Sequence, residues 1–144
     1  MIYKSEPKNF SSKFDVVSCF VEVDGKILLL HRQDHKPQGN TWGVPAGKVD
    51  KDEDLFKAMV REMSEETGYT AVANELQYFD KLFVRYGDYD FIYHVFHLPL
   101  QEKPEIKIHP KEHKTHLWET PENALLMNLI QDEDTCIKMF YKIS

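Results

Sequence analysis

The sequence is poor in cysteine, has no excess of positive charge and contains no long apolar run. Its 144 residues include two cysteines, Cys19 and Cys136, whose separation fits neither a disulfide scaffold nor a metal site and predicts two buried, reduced thiols. The formal net charge of −6 is opposite in sign to the basic patch that a polymeric nucleic-acid partner requires. Without an apolar signal segment or a membrane-length run, we expect no membrane partner and predict a cytoplasmic protein.

The composition of the chain is that of a folded domain. Apolar residues make up 42% of the sequence and aromatic residues 12%, enough to build a substantial core at this length. No internal repeat or low-complexity stretch divides the chain. We therefore predict a single domain over residues 1–144.

Runs of β-branched and aromatic residues alternate with helical periodicity along the chain. Strands are predicted over residues 15–23, 26–31, 78–85, 90–98 and 116–119, with a short strand in WGVPAGK and hairpin turns at Asp24-Gly25 and Gly87-Asp88. Helices are predicted over 121–127 and 132–141, and a longer acidic helix is expected to begin near Lys51, behind an apparent capping box of Asp50 and Glu53, and to end at Thr67-Gly68. This order of elements predicts an α/β fold with a mixed sheet covered on both faces.

Three carboxylates lie near the C-terminal end of the acidic helix: Glu62, Glu65 and Glu66. At about 100° per residue, Glu62 and Glu65 flank the apolar stripe, and Glu66 falls between Leu55 and Met59 within it. Negative charge near a helix C-terminus opposes the macrodipole, so stability does not explain the cluster. The spacing allows all three carboxylates to converge on one Mg²⁺ or Mn²⁺ ion, while a solvated helix face is the plainer alternative.

Two other metal sites are disfavoured by spacing. Asp50, Asp52 and Asp54 alternate as in a calcium-binding EF-hand loop, but the positions that require Gly and Glu there are Leu55 and Arg61. A second group, His109, His113 and His116, lies in a charged loop without a fourth zinc ligand, which favours solvated side chains.

The acidic segment as a whole resembles a known motif. Residues 47–69 match the signature box of the Nudix hydrolases. The matching positions are Gly47, then after five residues Glu53, after seven more Arg61-Glu62-Met63, after one more Glu65-Glu66, and after one more Gly68. The one departure is Tyr69, where the family usually has an aliphatic residue. The resemblance implies a Nudix-type α/β/α sandwich with a mixed β-sheet and a metal-dependent hydrolase that cleaves the pyrophosphate linkage of a nucleoside diphosphate derivative.

The resemblance also implies roles for individual residues of the box. Glu62 and Glu66 correspond to the core metal ligands, Glu65 to a third ligand and the Gly47 carbonyl to a backbone ligand of Mg²⁺ or Mn²⁺. Arg61 corresponds to a residue that orients Glu62, and an ordinary helix salt bridge is its alternative. Arg61, Glu62 and Glu65 are therefore candidate catalytic residues.

Further candidates lie outside the box. Glu112 precedes the predicted strand at 116–119 and is our candidate for a general base or a further ligand, against the alternative of an exposed loop side chain; Glu119 and Glu105 are weaker candidates. Trp42 and Tyr86 are candidate substrate-binding residues because aromatic faces stack on nucleobases. The offset of Tyr86 from the box resembles that of Nudix enzymes that split dinucleoside polyphosphates.

The expected partner is a small nucleotide: a nucleoside triphosphate, a dinucleoside polyphosphate or a nucleotide sugar. Two alternatives of the same fold remain, an inactive nucleotide-binding module and a prenyl diphosphate isomerase. The isomerase would require a catalytic cysteine, and neither Cys19 nor Cys136 neighbours the box in sequence. A homodimer is one of the assemblies that the sequence allows.

Overall fold

The computed structural model describes residues 1–144 and contains eight strands and three α-helices. In chain order the elements are β1 (Ile2–Tyr3), β2 (Ser12–Val23), β3 (Lys26–Arg32), β4 (Trp42–Gly43), β5 (Ala46–Lys48), α1 (Leu55–Thr67), β6 (Gln77–Arg85), β7 (Asp90–Pro99), β8 (His113–Glu119), α2 (Pro121–Ala124) and α3 (Glu133–Tyr141). A short 3-10 helix (Ala73–Glu75) precedes β6. None of the helices is long and apolar enough to cross a membrane.

The strands form one mixed sheet in the order β1-β6-β7-β2-β3-β4, with β5 paired to β2 and β8 paired to β3. β2 and β7 are parallel, and the other pairs are antiparallel. The turn between β2 and β3 has φ of 52° at Asp24 and 75° at Gly25, which suits a two-residue hairpin. Both predicted hairpins, and the mixed sheet, are confirmed.

The middle of the sheet is opened by an inserted segment. β2 and β3 pair only beside their turn, at Glu22–Ile27 and Val23–Lys26. Farther along, residues 42–48 fill the gap between them, first pairing with β3 through β4 and then with β2 through β5. The predicted WGVPAGK strand is thus two short strands on either side of Pro45, which cannot donate a ladder hydrogen bond.

Helices cover both faces of the sheet. On one face, Met59 and Met63 of α1 pack against sheet residues such as Phe96. On the other, Cys136 and Ile137 of α3 join Ala124 of α2 in a separate cluster with the sheet. The two clusters give the expected α/β/α arrangement. Cys19 and Cys136 are both free and buried, as predicted.

Several element boundaries differ from the sequence prediction. α1 begins at Leu55 and not near Lys51, because Asp52 has a positive φ of 61° and the Asp54 side chain caps the helix by accepting from Lys57 N at 3.1 Å. Asp50 and Glu53 therefore do not mark the start of the helix, although Glu53 Oε1 accepts the predicted hydrogen bond from Asp50 N at 2.9 Å. β1 was not predicted, β8 begins earlier than expected, and α2 ends earlier.

Candidate functional site

Glu62 of α1 packs against Gly47 of β5 and so joins the acidic helix to the opened sheet. Glu62 is only 9% exposed. A Cβ atom at Gly47 would lie 2.0 Å from Glu62 Cδ and 2.1 Å from Oε2. Gly47 is not among the residues with positive φ, so the glycine is needed here for space and not for backbone conformation. The Glu62 carboxylate occupies the room that this glycine leaves.

Arg61 fixes the other side of the Glu62 carboxylate. Its Nη1 donates to Glu62 Oε1 at 2.7 Å, while Nε and Nη2 donate to the two oxygens of Glu53 at 2.9 and 3.0 Å. Nη2 also donates to the Lys48 carbonyl at 3.0 Å. The hydrogen bonds from Arg61 lower the pKa of Glu53, and those to Glu53 and Glu62 raise the pKa of Arg61. Arg61 is thus held by the carboxylate of Glu53 and in turn fixes the carboxylate of Glu62.

Glu66 lies one turn farther along α1 and is turned toward the backbone of the inserted segment. Its Oε1 accepts a hydrogen bond from Ala46 N at 2.9 Å. Burial raises the pKa of Glu66 to about 8, with a further increase from the charges of Glu62 and Glu112 and a decrease from the Ala46 hydrogen bond. Burial also raises the pKa of Glu62, against the opposing effect of Arg61.

The helical wheel underestimated the burial of Glu62. It placed Glu62 on the flank of the apolar stripe, whereas Glu62 is buried; Glu66, which it placed within the stripe, has intermediate exposure, and its carboxyl group is buried enough to raise its pKa. The wheel describes only the helix, and the space above Gly47 that admits Glu62 belongs to another element. Burial here is decided by the neighbouring strand.

The three carboxylates do not converge on one point. The Glu65 side chain is 54% exposed and lies 3.4 Å from Arg61 Nη1, and no three His, Cys, Asp or Glu side chains are grouped closely enough to hold a metal ion. Arg61 draws Glu62 and Glu65 to one side, while Glu66 faces Ala46. The donor chemistry nevertheless fits a hard divalent cation, because Glu62 and Glu66 are oxygen donors with raised pKa values whose ionised forms such a cation would stabilise.

A cleft of about 270 Å³ opens beside these carboxylates. Gly47 and Glu66 line it, and so do Arg32 and Lys48, whose positive charges suit an anionic ligand. The remaining wall is largely aromatic and apolar, with Phe14, Tyr86, Tyr89, Phe91 and Tyr93 among its residues. The cleft therefore joins a charged end to an aromatic surface, a combination typical of small-molecule sites.

Glu112 lies in the turn before β8, near the cleft but held by a neighbour. Lys36 Nζ is 2.7 Å from Glu112 Oε2, and the side chain is 40% exposed. The hydrogen bond from Lys36 lowers the pKa of Glu112, which keeps it ionised. The next residue, His113, does line the cleft, and burial together with the charge of Arg32 lowers its pKa to about 4. Of the three histidines weighed as a zinc site, His113 is buried, and no zinc-like grouping is present.

The two aromatic candidates occupy different environments. Tyr86 lines the cleft, and its ring lies 5.8 Å from that of Tyr89 and 5.4 Å from that of Phe91. Trp42 is not among the lining residues; its indole stacks on His31 with ring centroids 4.2 Å apart. The structure brings Tyr86 to the carboxylate site and leaves Trp42 outside it.

Several residues of the cleft were missed by sequence reasoning. Asp132, Glu133 and Cys136 line it from the N-terminal part of α3, far from the box in sequence. Cys136 thus lies at the cleft although it is distant from the box in sequence; it is 4% exposed and burial raises the pKa of its thiol, which disfavours a reactive thiolate. No local signal singles out Glu133, because the macrodipole favours an acidic residue in the first turn of any helix.

Comparison with known proteins agrees with the fold. The sequence model of the NUDIX domain matches residues 13–140. The CTP pyrophosphohydrolase of Escherichia coli is 33% identical over 113 residues, which cover 77% of this chain and 78% of that protein. A shorter match, 39% identical, joins 53% of this chain to 40% of the ADP-ribose pyrophosphatase of Bacillus subtilis.

Solved structures give the same result. The solution structure of the Escherichia coli ORF135 protein has a TM-score of 0.76 at 27% identity and covers 96% of this chain and 95% of that one. A bifunctional NMN adenylyltransferase/ADP ribose pyrophosphatase from Francisella tularensis, complexed with AMP and a Mn ion, shares the fold with a TM-score of 0.73 at 23% identity, over 93% of this chain and 42% of that one. The family model spans most of the chain, and Gly47 and Glu66 of the box line the cleft. The chain therefore belongs to the Nudix family of pyrophosphohydrolases.

Proposed function

We propose that residues 1–144 form a single catalytic domain that hydrolyses the pyrophosphate linkage of a nucleoside diphosphate derivative with the help of a divalent metal. The observation that carries this proposal is the placement of Glu62 and Glu66, two carboxylates with raised pKa values, beside Gly47 at the edge of a cleft. Mg²⁺ or Mn²⁺ held by Glu62 and Glu66, with the Gly47 carbonyl as a further donor and Glu65 turned in from its exposed position beside Arg61, would neutralise phosphate oxygens and lower the pKa of an attacking water.

The protein's own residues prepare the site for this chemistry. Arg61 fixes the Glu62 carboxylate through the 2.7 Å hydrogen bond, and Glu53 in turn fixes Arg61. Arg32 and Lys48 face the cleft and supply positive charge for the phosphates of the substrate. Each of these contacts positions a charge before the substrate arrives, which is the kind of preorganisation that electrostatic catalysis needs.

Glu112 is the proposed general base or additional ligand. Its charge acts on the pKa of Glu66, which supports its nearness to the carboxylate pair. The salt bridge to Lys36 keeps Glu112 ionised, and the lowered pKa makes it a weaker base while that salt bridge is formed. Proton transfer would require Glu112 to leave Lys36 or to act through a water molecule.

The substrate is proposed to be a small nucleotide, and the relatives support this class. One of them is named for CTP and another for ADP-ribose. A nucleoside triphosphate, a dinucleoside polyphosphate and a nucleotide sugar all contain the required linkage. We place the nucleobase on the aromatic surface that includes Tyr86, because base stacking tolerates different bases.

A nucleotide panel assayed with and without Mg²⁺ or Mn²⁺ tests the proposal. Wild type should release phosphate products only with metal, and Glu62→Gln should lower kcat by several orders of magnitude while thermal unfolding stays near that of wild type. Glu102→Gln, which removes an equal charge from an exposed position, is the matched control. Equal activity of Glu62→Gln and wild type, or no hydrolysis of any nucleotide, would contradict the proposal. Isopentenyl diphosphate in the same panel distinguishes the isomerase alternative.

A further inference from the structure

A buried histidine lines the cleft without any hydrogen bond from its ring. His113, the first residue of β8, is 6% exposed. Its Nδ1 is buried and has no partner, and its Nε2 makes no hydrogen bond with the protein. The other buried histidine, His94, uses both ring nitrogens, to Tyr78 and to Asp15. Because native structures pair most buried polar groups, the unpaired ring of His113 points to a ligand group that completes the site.

Arg32 of β3 faces the same part of the cleft as His113. The two residues are paired across the antiparallel strands β3 and β8, so their side chains emerge on the same face of the sheet, and both line the cleft. The Nε of Arg32 donates to the Pro37 carbonyl at 2.9 Å, and neither Nη atom forms a hydrogen bond or an ion pair with the protein. Arg32 and His113 therefore present free N–H groups side by side.

The imidazole of His113 is a neutral donor. Burial lowers its pKa to about 4, and the charge of Arg32 acts in the same direction. Lys36 and His109 lower this pKa further, while Glu112 opposes them. A neutral imidazole carries a single N–H. Because Nδ1 is enclosed by the protein, Nε2 is the nitrogen that can present this N–H to the cleft.

This end of the cleft suits an anionic oxygen. The charges of Arg32 and Glu112 both act on the pKa of Glu66, which places Arg32 and His113 at the carboxylate end of the cleft. A divalent cation held by Glu66 would bring the phosphates of a nucleotide to this end. Phosphate oxygens accept hydrogen bonds and carry negative charge, so they match the free N–H groups. The ion pair between Lys36 and Glu112 reduces the repulsion that Glu112 would exert on a phosphate.

We propose that His113 is a substrate-binding residue that donates a hydrogen bond from Nε2 to an oxygen of the phosphate chain, beside the charged contact made by Arg32. A neutral donor fixes the direction of this oxygen without adding a positive charge that would repel a divalent cation. Phosphate oxygens are common to all nucleotides, so His113 sets the affinity for the phosphate chain and not the choice of base. This inference rests on the proposed function and names a residue that holds the phosphates of the substrate.

Binding of imidodiphosphate tests the inference without a nucleobase and without cleavage, because its bridging NH replaces the oxygen of a pyrophosphate. Affinity is measured by isothermal titration calorimetry in excess Mg²⁺. His113→Leu removes the N–H and should weaken binding about tenfold, the size of one hydrogen bond to a charged oxygen. His113→Gln offers an amide N–H near the position of Nε2 and should stay within about threefold of wild type.

His116→Leu is the matched control. His116 lies three residues along the same strand, on its opposite face, and does not line the cleft. This variant should bind imidodiphosphate as wild type does. Binding of Mn²⁺ alone, followed by electron paramagnetic resonance, should be the same in wild type and His113→Leu, because the proposed contact is with phosphate and not with metal.

Nitrogen NMR of wild type tests the contact without any change at a buried position. Addition of imidodiphosphate and Mg²⁺ should shift the Nε2 signal of His113, assigned by its loss in His113→Gln, and should leave that of His116 unchanged. An unchanged His113 signal at saturation, or no binding of imidodiphosphate to wild type, would overturn the inference even if His113→Leu failed to fold.

The remaining outcomes separate this inference from other roles of His113 and from the proposed function. Equal affinity of His113→Leu and wild type for imidodiphosphate would overturn the inference, and so would loss of Mn²⁺ binding in His113→Leu, which would make His113 a metal ligand or a structural residue. Binding that depends on His113, without hydrolysis of any nucleotide, would contradict the proposed function alone. Hydrolysis together with binding that ignores His113 would contradict only this inference.

Discussion

Replacing Gly47 with alanine should damage the site far more than the fold. The added Cβ would lie 2.1 Å from Glu62 Oε2, whereas real Cβ atoms essentially never approach another heavy atom within 3.0 Å. The Glu62 carboxylate must therefore move by roughly 1 Å or more to reach an ordinary contact distance. Its hydrogen bond to Arg61 at 2.7 Å would be stretched or lost. Because Gly47 has no positive φ, no backbone strain is added.

The two expected effects of this change differ in size. Overpacking of this kind costs about 1 to 3 kcal/mol of unfolding free energy. A catalytic group displaced by about 1 Å can cost about 10²-fold in rate. We therefore expect Gly47→Ala to remain folded, to lose about 10²-fold or more in kcat/KM and to require a higher Mg²⁺ concentration for half-maximal activity.

The assay compares kcat/KM, the Mg²⁺ titration and thermal unfolding of Gly47→Ala with those of wild type and Gly87→Ala. Gly87 is the matched control because a Cβ there meets nothing within 4 Å and its φ is not positive. If Gly47→Ala keeps kcat/KM within twofold of Gly87→Ala, the space above Gly47 does not position Glu62, and the reasoning is refuted.

Three further changes test other parts of the site. Glu112→Gln should slow turnover by about 10²-fold or more if Glu112 is a base or ligand, and a change of less than twofold would identify an exposed loop residue. Tyr86→Ala should weaken nucleotide binding by roughly tenfold because stacking contributes about 1 to 3 kcal/mol, with Tyr86→Phe near wild type; an unchanged Kd would remove Tyr86 from the binding surface. Burial raises the pKa of Glu133 from 4.5 to about 7, so its contribution to stability is present below about pH 4.5 and lost as the pH rises through 7. Between about pH 5 and pH 8 the unfolding free energy of wild type should fall more than that of Glu133→Gln, by up to about 3 kcal/mol; parallel curves in chemical denaturation would contradict this.

The local elements could be predicted from sequence because their causes are local. Asp24-Gly25 adopts the positive φ values of a hairpin turn, and Gly68 ends α1 with φ of 76°, as neighbouring residues alone indicate. The start of α1 was misplaced since Asp50 and Asp54 are both suitable capping residues, and Asp54 is the one that caps the helix. Glu53 pairs with Arg61, eight residues away. A capping pattern cannot reveal a partner two turns farther along.

The sequence by itself determined the chemistry of the acidic helix, because the spacing of Arg61, Glu62 and Glu66 on a helix follows from the periodicity of the backbone. Only the tertiary structure decided that Glu62 is buried, since the space beside Gly47 exists only when β5 lies against α1. Only the tertiary structure, too, brought Glu133 into the cleft. Its hydrogen bond to Val44 joins residues 89 positions apart, and a contact at that separation depends on how the sheet and α3 pack, which no local pattern encodes.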